Sequence, residues 1–141
     1  MAIRDELLIA APVERVWALT VDIERWPELT PTITSVERLD DGPLQVGSTA
    51  RLVQPGQRPA TWTVTRLEAP HAFEWSTTVL GVTMTGTHHL AAEGGGCRNV
   101  LGLELEGRGS GLLGRLVGRR IQSAIETENR GFQRAAEAAS A

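Results

Sequence analysis

Residues 71–139, HAFEWSTTVLGVTMTGTHHLAAEGGGCRNVLGLELEGRGSGLLGRLVGRRIQSAIETENRGFQRAAEAA, decide the fold. They read as two strands, a glycine turn at Gly94, Gly95 and Gly96, a third strand, and one helix running almost to the C-terminus. In the helical part Leu113, Val117, Ile121, Ala124, Glu128, Phe132 and Ala135 recur at spacings of three and four, which puts them on one side. A helix of about 30 residues is about 45 Å long and cannot bury such a stripe against a flat neighbour of equal width. A curved antiparallel sheet that grips the helix can, and a grip of this kind leaves room for a small molecule between helix and sheet.

Working outward, residues 3–10 read as a strand with Ile3, Leu7 and Ile9 on one face, ended by Pro12. Residues 13–20 form a short helix burying Val13, Val16 and Trp17. A second helical turn over 22–26, capped by Asp22, stops at Trp26-Pro27 because the residue before proline is pushed out of helical geometry. Six further strands are expected over 33–39, 48–54, 61–67, 72–79, 83–91 and 98–106, separated by Gly, Pro and Asp turn chemistry. Such short separators join antiparallel neighbours, not parallel crossovers. Leu101, Leu103 and Leu105 alternate with Gly102, Glu104 and Glu106, which sets the inner face of the last strand; Asn99 shares it. Met84, Gly86, His88 and Leu90 share the inner face of the strand before, so His88 points at the helix.

At 141 residues and a formal charge of −3 the chain fits one domain spanning 1–141 and carries no nucleic-acid footprint. Arg115, Arg119 and Arg120 read as the solvated flank of the long helix. All 14 basic residues are arginine and there is no tyrosine. This excludes Schiff-base lysine, phosphate-loop lysine and tyrosine-acid chemistry. Cys97 is the single cysteine, so no intrachain disulfide forms, and neither a signal peptide nor a membrane-spanning run is visible. The expectation is a cytoplasmic protein without membrane insertion; a homodimer stays open.

The segments Ile9-Ala10-Ala11-Pro12-Val13-Glu14-Arg15-Val16-Trp17 and Asp22-Ile23-Glu24-Arg25-Trp26-Pro27 resemble the opening of the START-like (SRPBCC) helix-grip superfamily. Gly86-Thr87-His88-His89-Leu90, Gly95-Gly96-Cys97-Arg98 and Leu103-Glu104-Leu105-Glu106-Gly107 resemble the closing hairpin of its polyketide cyclase/dehydrase-type branch. The resemblance implies an α+β helix-grip (Bet v 1-like) fold: a seven-stranded curved antiparallel sheet around a long C-terminal helix, with two short helices after the first strand. It also implies a role among aromatase/cyclases, lipid and hormone binders and quinone-binding proteins, which share no catalytic motif. Asn99 departs from the apolar residue usual on that strand.

Gly109-Ser110-Gly111-Leu112-Leu113-Gly114 matches GxGxxG in form, yet the helix after it runs to the chain end and no parallel strand follows. These glycines read as a tight start to the helix with Ser110 as N-cap. His88 and His89 are strand neighbours on opposite faces and cannot share one ion, so neither a metal nor any other cofactor is expected. His71, in the turn after Pro70, reads as a surface residue.

The expected partner is a small hydrophobic molecule of polyketide, lipid or isoprenoid type, lined by Trp62, Trp75, Thr77, Met84, Leu101, Leu103, Val117, Ile121 and Ala124. The tryptophans serve equally as core and as cavity wall. The rival reading is a cyclase or dehydratase in which His88, Asn99 and Glu128 polarise a carbonyl and move a proton; a third is an interaction module without ligand. Glu128 is either a pocket carboxyl with a raised pKa, a member of a salt bridge with an arginine such as Arg120, or a solvated helix-end residue.

Overall fold

The computed structural model describes residues 1–138; positions 139–141 of the expected domain lie outside the described residues. The chain runs β1 (Ala2–Ile9), α1 (Val13–Val21), a 3-10 turn (Ile23–Arg25), α2 (Trp26–Leu29), β2 (Ser35–Arg38), β3 (Thr49–Val53), β4 (Ala60–Glu68), β5 (Ala72–Val79), β6 (Val82–Glu93), β7 (Gly96–Gly107) and α3 (Ser110–Ala138). Every strand pairing is antiparallel, in one sheet of order β1-β7-β6-β5-β4-β3-β2. The last strand therefore returns beside the first, and α3 lies across β1 and β7 on the concave side. This is the expected α+β helix grip.

Alternation decides the strand faces. On β7 Asn99, Leu101 and Leu105 are buried while Glu104 and Glu106 are exposed; on β6 Val82, His88 and Leu90 are buried on the same side. The β5 residues Phe73, Trp75 and Thr77 and the β4 residues Trp62 and Val64 complete the inner face. A register shift between Val64 and Arg66 interrupts the β4–β5 pairing.

Three local expectations give way. Pro27 does not stop the second helical turn but lies in the first turn of α2, where a missing N–H removes no helical bond. Asp22 makes no side-chain capping bond. Ser110 is already the first helical residue, because the Gly109 carbonyl accepts the first intrahelical bond from Leu113 N at 2.9 Å. Gly109, at φ 81°, is the cap, a backbone setting that favours glycine.

The buried face of α3 is rotated from the expected stripe. Gly114, Ile125, Asn129, Gly131, Phe132 and Ala136 are buried, whereas Leu113, Val117, Ile121, Ala124, Glu128 and Ala135 are half-buried. The cause is close approach. Gly114 lies against the Met1 side chain and Gly118 faces Met1 and Ile3, so the helix presents its smallest residues to β1. At the other end a Cβ on Gly131 would collide with the Leu29 carbonyl oxygen, so α2 and α3 touch through backbone.

Candidate functional site

Taking 100° per residue, Ile121, Glu128, Val117, Ala124 and Leu113 fall on the flank of α3 beside its buried face. Beyond this flank α3 borders an open cleft of about 420 Å³ lined by Thr32, Arg119, Arg120, Ser123, Ala124 and Thr127. On the sheet, Met84, Gly86 and Leu103 are half-buried although they belong to the inner face. A second cleft of about 370 Å³, lined by Trp17, Val21, Arg38, Leu44, Leu67 and Ala69, opens elsewhere. Of the nine residues expected to contact ligand, Ala124 lines the α3 cleft, and Met84, Leu103, Val117 and Ile121 are half-buried. Trp62, Trp75, Thr77 and Leu101 are buried.

Trp62 and Trp75 lie 5.5 Å apart between ring centroids, and Trp75 also meets Trp26 edge-on at 5.2 Å. Gly86 makes this packing work: a Cβ there would sit 3.1 Å from Trp75 Nε1 and 3.8 Å from Trp62 Cζ3. With no side chain at Gly86, both indoles lie down on the strand and form an aromatic floor.

His88 is enclosed by three other aromatic rings. Trp26 stacks on its ring at 5.2 Å, while Phe73 and Phe132 approach edge-on at 5.5 and 5.6 Å. Its Nδ1 is buried without a hydrogen-bond partner among the described residues. Burial, with a smaller contribution from the neighbouring His89, lowers its pKa to about 3, so the imidazole is neutral at neutral pH. His89 points to the other face of the sheet, as strand geometry requires, and bonds to Glu74 at 2.6 Å. The exposed His71 holds the Leu90 carbonyl at 3.1 Å through Nδ1.

Asn99 is committed to the framework. Its Nδ2 donates to Asn129 Oδ1 at 2.9 Å, and Asn129 Nδ2 donates to Asp5 Oδ2 at 3.0 Å and to the Asn99 carbonyl at 3.2 Å. Asn99 Oδ1 is left buried without a partner among the described residues.

Glu128 stands apart from both, at the cleft side of α3. Desolvation raises its pKa to about 7, partly offset by a hydrogen bond from the Thr32 hydroxyl. Among the described residues no arginine comes within salt-bridge distance of it, so Arg120 is not its counter-charge. A half-buried carboxyl that is partly protonated at neutral pH can donate a proton to a bound carbonyl.

Four participants escaped the sequence reading. Trp26 was visible only as the end of a helical turn, and its stacking on His88 depends on how α2 meets the sheet. Asn129 lies one residue beyond Glu128, on the equally regular series Ile125, Asn129, Phe132 and Ala136; contacts of α3 with distant segments choose between the two series. Asp5 shares a strand face with Ile3 and Leu7, and that parity was its signal. Thr32 lies in a loop, where no periodicity marks it.

Among the described residues no group of three or more His, Cys, Asp or Glu side chains is placed to hold a metal ion. Nor, among them, is any helix long and apolar enough to cross a membrane.

Comparison with known proteins agrees with this architecture. The profile of the family described as "Polyketide cyclase / dehydrase and lipid transport" matches residues 2–137. The "Putative polyketide cyclase" of Streptomyces cyaneus is 54% identical over 35 residues, a match spanning 25% of this chain and 23% of that protein. Among solved structures, the protein TTHA0849 of Thermus thermophilus is 26% identical, with a TM-score of 0.79 and all of both chains covered. A norcoclaurine synthase point mutant from Thalictrum flavum, in complex with a transition-state analogue, is 17% identical with a TM-score of 0.79, covering 100% of this chain and 96% of that one. At that identity the likeness speaks for the fold.

Proposed function

Because the chain belongs to the polyketide cyclase / dehydrase and lipid transport family, we propose that it binds a small, flat hydrophobic molecule of polyketide, lipid or isoprenoid type between the concave sheet and the flank of α3. The observation that carries this reading is the incomplete burial of Met84, Leu103 and Ile121, which pack against the edge of the core, and of Val117 on the same flank of α3. Completing the burial of such half-buried residues would add part of the roughly 1.5–3 kcal/mol that full burial of each provides, and a ligand over Gly86 and the Trp62–Trp75 floor would supply that cover. Thr77 and Leu101 border the same face.

Tryptophan emission tests the reading, since Trp62 and Trp75 form the floor. Titration with N-phenyl-1-naphthylamine is expected to quench it saturably and to raise the melting temperature. Ile121→Trp, which would occupy the proposed binding position, is expected to abolish the quenching while leaving the fold intact. Emission unchanged on titration of the parent protein counts against a ligand in this groove.

The raised pKa of Glu128 favours a second reading, a cyclase or dehydratase step on a bound carbonyl compound. In it Glu128 delivers the proton, while His88 and Asn99 hold the aromatic floor and the seat of α3. Loss of turnover in Glu128→Gln with retained probe binding would favour this reading over simple carriage.

A further inference from the structure

The two hairpins at opposite ends of β6 are closed by the same kind of two-residue turn, and they solve it differently. Between β6 and β7 the turn is Gly94-Gly95, with φ of 57° and 83°. Between β5 and β6 it is Leu80-Gly81, with φ of 51° and 80°. Turns with two positive φ values favour Asn, Asp or Gly at the first position. A leucine there is strained, and Leu80 is 98% exposed. Both its conformation and its exposure are unfavourable in the isolated protein.

This turn adjoins the start of α3, since Gly81 lies against Gly107 and the helix begins three residues later. There Leu112 and Leu116, one turn apart, are 62% and 72% exposed, and Arg108, Arg115, Arg119 and Arg120 surround them in sequence. From Gly107 to Ile125 there is no carboxylate, although the chain as a whole carries −3. Glu106, the nearest before it, is an exposed residue on the outer face of β7. None of Arg108, Arg115, Arg119 and Arg120 forms an ion pair among the described residues. An apolar tip and an apolar helix edge ringed by free cations match a surface that is greasy beneath and anionic on top.

We propose that this end of the molecule docks on an anionic phospholipid bilayer, with Leu80, Leu112 and Leu116 in the headgroup boundary and the arginines on lipid phosphates. This is peripheral binding by a folded domain, and it stands whether or not the groove holds a ligand.

Co-sedimentation of the full chain with vesicles tests it. Vesicles of phosphatidylcholine with about 30% phosphatidylglycerol are expected to bind the protein, and pure phosphatidylcholine vesicles far more weakly. Raising salt to about 0.5 M is expected to release it, because screening removes the attraction. Arg115→Gln/Arg119→Gln is expected to weaken partitioning about 25-fold, at about fivefold per arginine. Leu112→Ser/Leu116→Ser is expected to weaken it at least tenfold, and Leu80→Asn, which relieves the turn, to weaken binding while raising the melting temperature. Equal sedimentation with neutral and anionic vesicles, or none with either, overturns the proposal. So does a dimer in sedimentation velocity that Leu112→Ser/Leu116→Ser dissociates, since the patch would then belong to a second copy of this chain.

Discussion

Asn99 on β7 donates from Nδ2 to Oδ1 of Asn129 on α3 over 2.9 Å, and both side chains are fully buried. Asn129 passes the connection on to the backbone and carboxylate of Asp5 on β1. One polar chain thus ties the helix to the two strands beneath it. Apolar contacts hold the helix on the sheet without fixing its rotation, whereas a buried amide pair is satisfied at only one rotation. The flank that borders the cleft, Glu128 included, is set by this pair together with the close glycine contacts of α3.

Replacing one member strands the other. Asn129→Leu is expected to cost about 2–3 kcal/mol in urea unfolding, because the Asn99 amide loses its acceptor in a dry site. Asn99→Leu/Asn129→Leu should cost clearly less than the sum of the single changes. Strict additivity in the cycle would show that the two amides are not coupled.

Gly131→Ala has a sign that helix propensity alone gets wrong. Alanine favours a helix over glycine by about 1 kcal/mol, yet a Cβ here meets the Leu29 carbonyl oxygen, which is backbone and cannot swing aside. A net loss of about 2 kcal/mol or more is expected from overpacking, read as a lower urea midpoint with an unchanged slope.

The Glu128 carboxyl titrates near 7 in the fold against a reference of 4.5, so the folded state holds the extra proton between those values. Stability contributed by this group therefore falls as pH rises from about 4.5 to 7. Glu128→Gln is expected to match the parent near pH 4 and to exceed it by about 2–3 kcal/mol at pH 8. Thermal unfolding across that range checks it; a constant offset would mean that the carboxyl is solvated.

His88 acts in the opposite sense. Buried neutral with a pKa of about 3 against 6.5 unfolded, it leaves the unfolded state binding more protons between those values, so stability is lost as pH falls below 6.5. His88→Phe keeps an aromatic ring among Trp26, Phe73 and Phe132 and removes the unpartnered Nδ1. It is expected to leave stability at pH 7 little changed and to recover about 3 kcal/mol of the loss at pH 4. Urea melts at pH 7, 5 and 4 would detect this.

Much of the fold was legible because it rests on local periodicity. The alternation of Leu101, Leu103 and Leu105 names the inner face of β7, Gly94-Gly95 names the turn before it, and the three-four spacing beyond Ser110 names a helix that needs a concave partner. These signals lie within one element, so the chain states them without knowing its neighbours. The face of His88 follows from the same parity.

The orientation of α3 within the grip was decided by tertiary structure. Two residue series a few tens of degrees apart are equally regular, one centred on Glu128 and the other on Asn129. The choice falls to contacts between segments more than a hundred residues apart: Gly114 against Met1, Asn129 with Asp5, Gly131 against Leu29. For the same reason Trp26 covers His88, and Glu128 bonds to Thr32 while Arg120 stays outside its reach. Periodicity along a chain fixes which residues share a face, and only close packing between distant elements fixes where that face points.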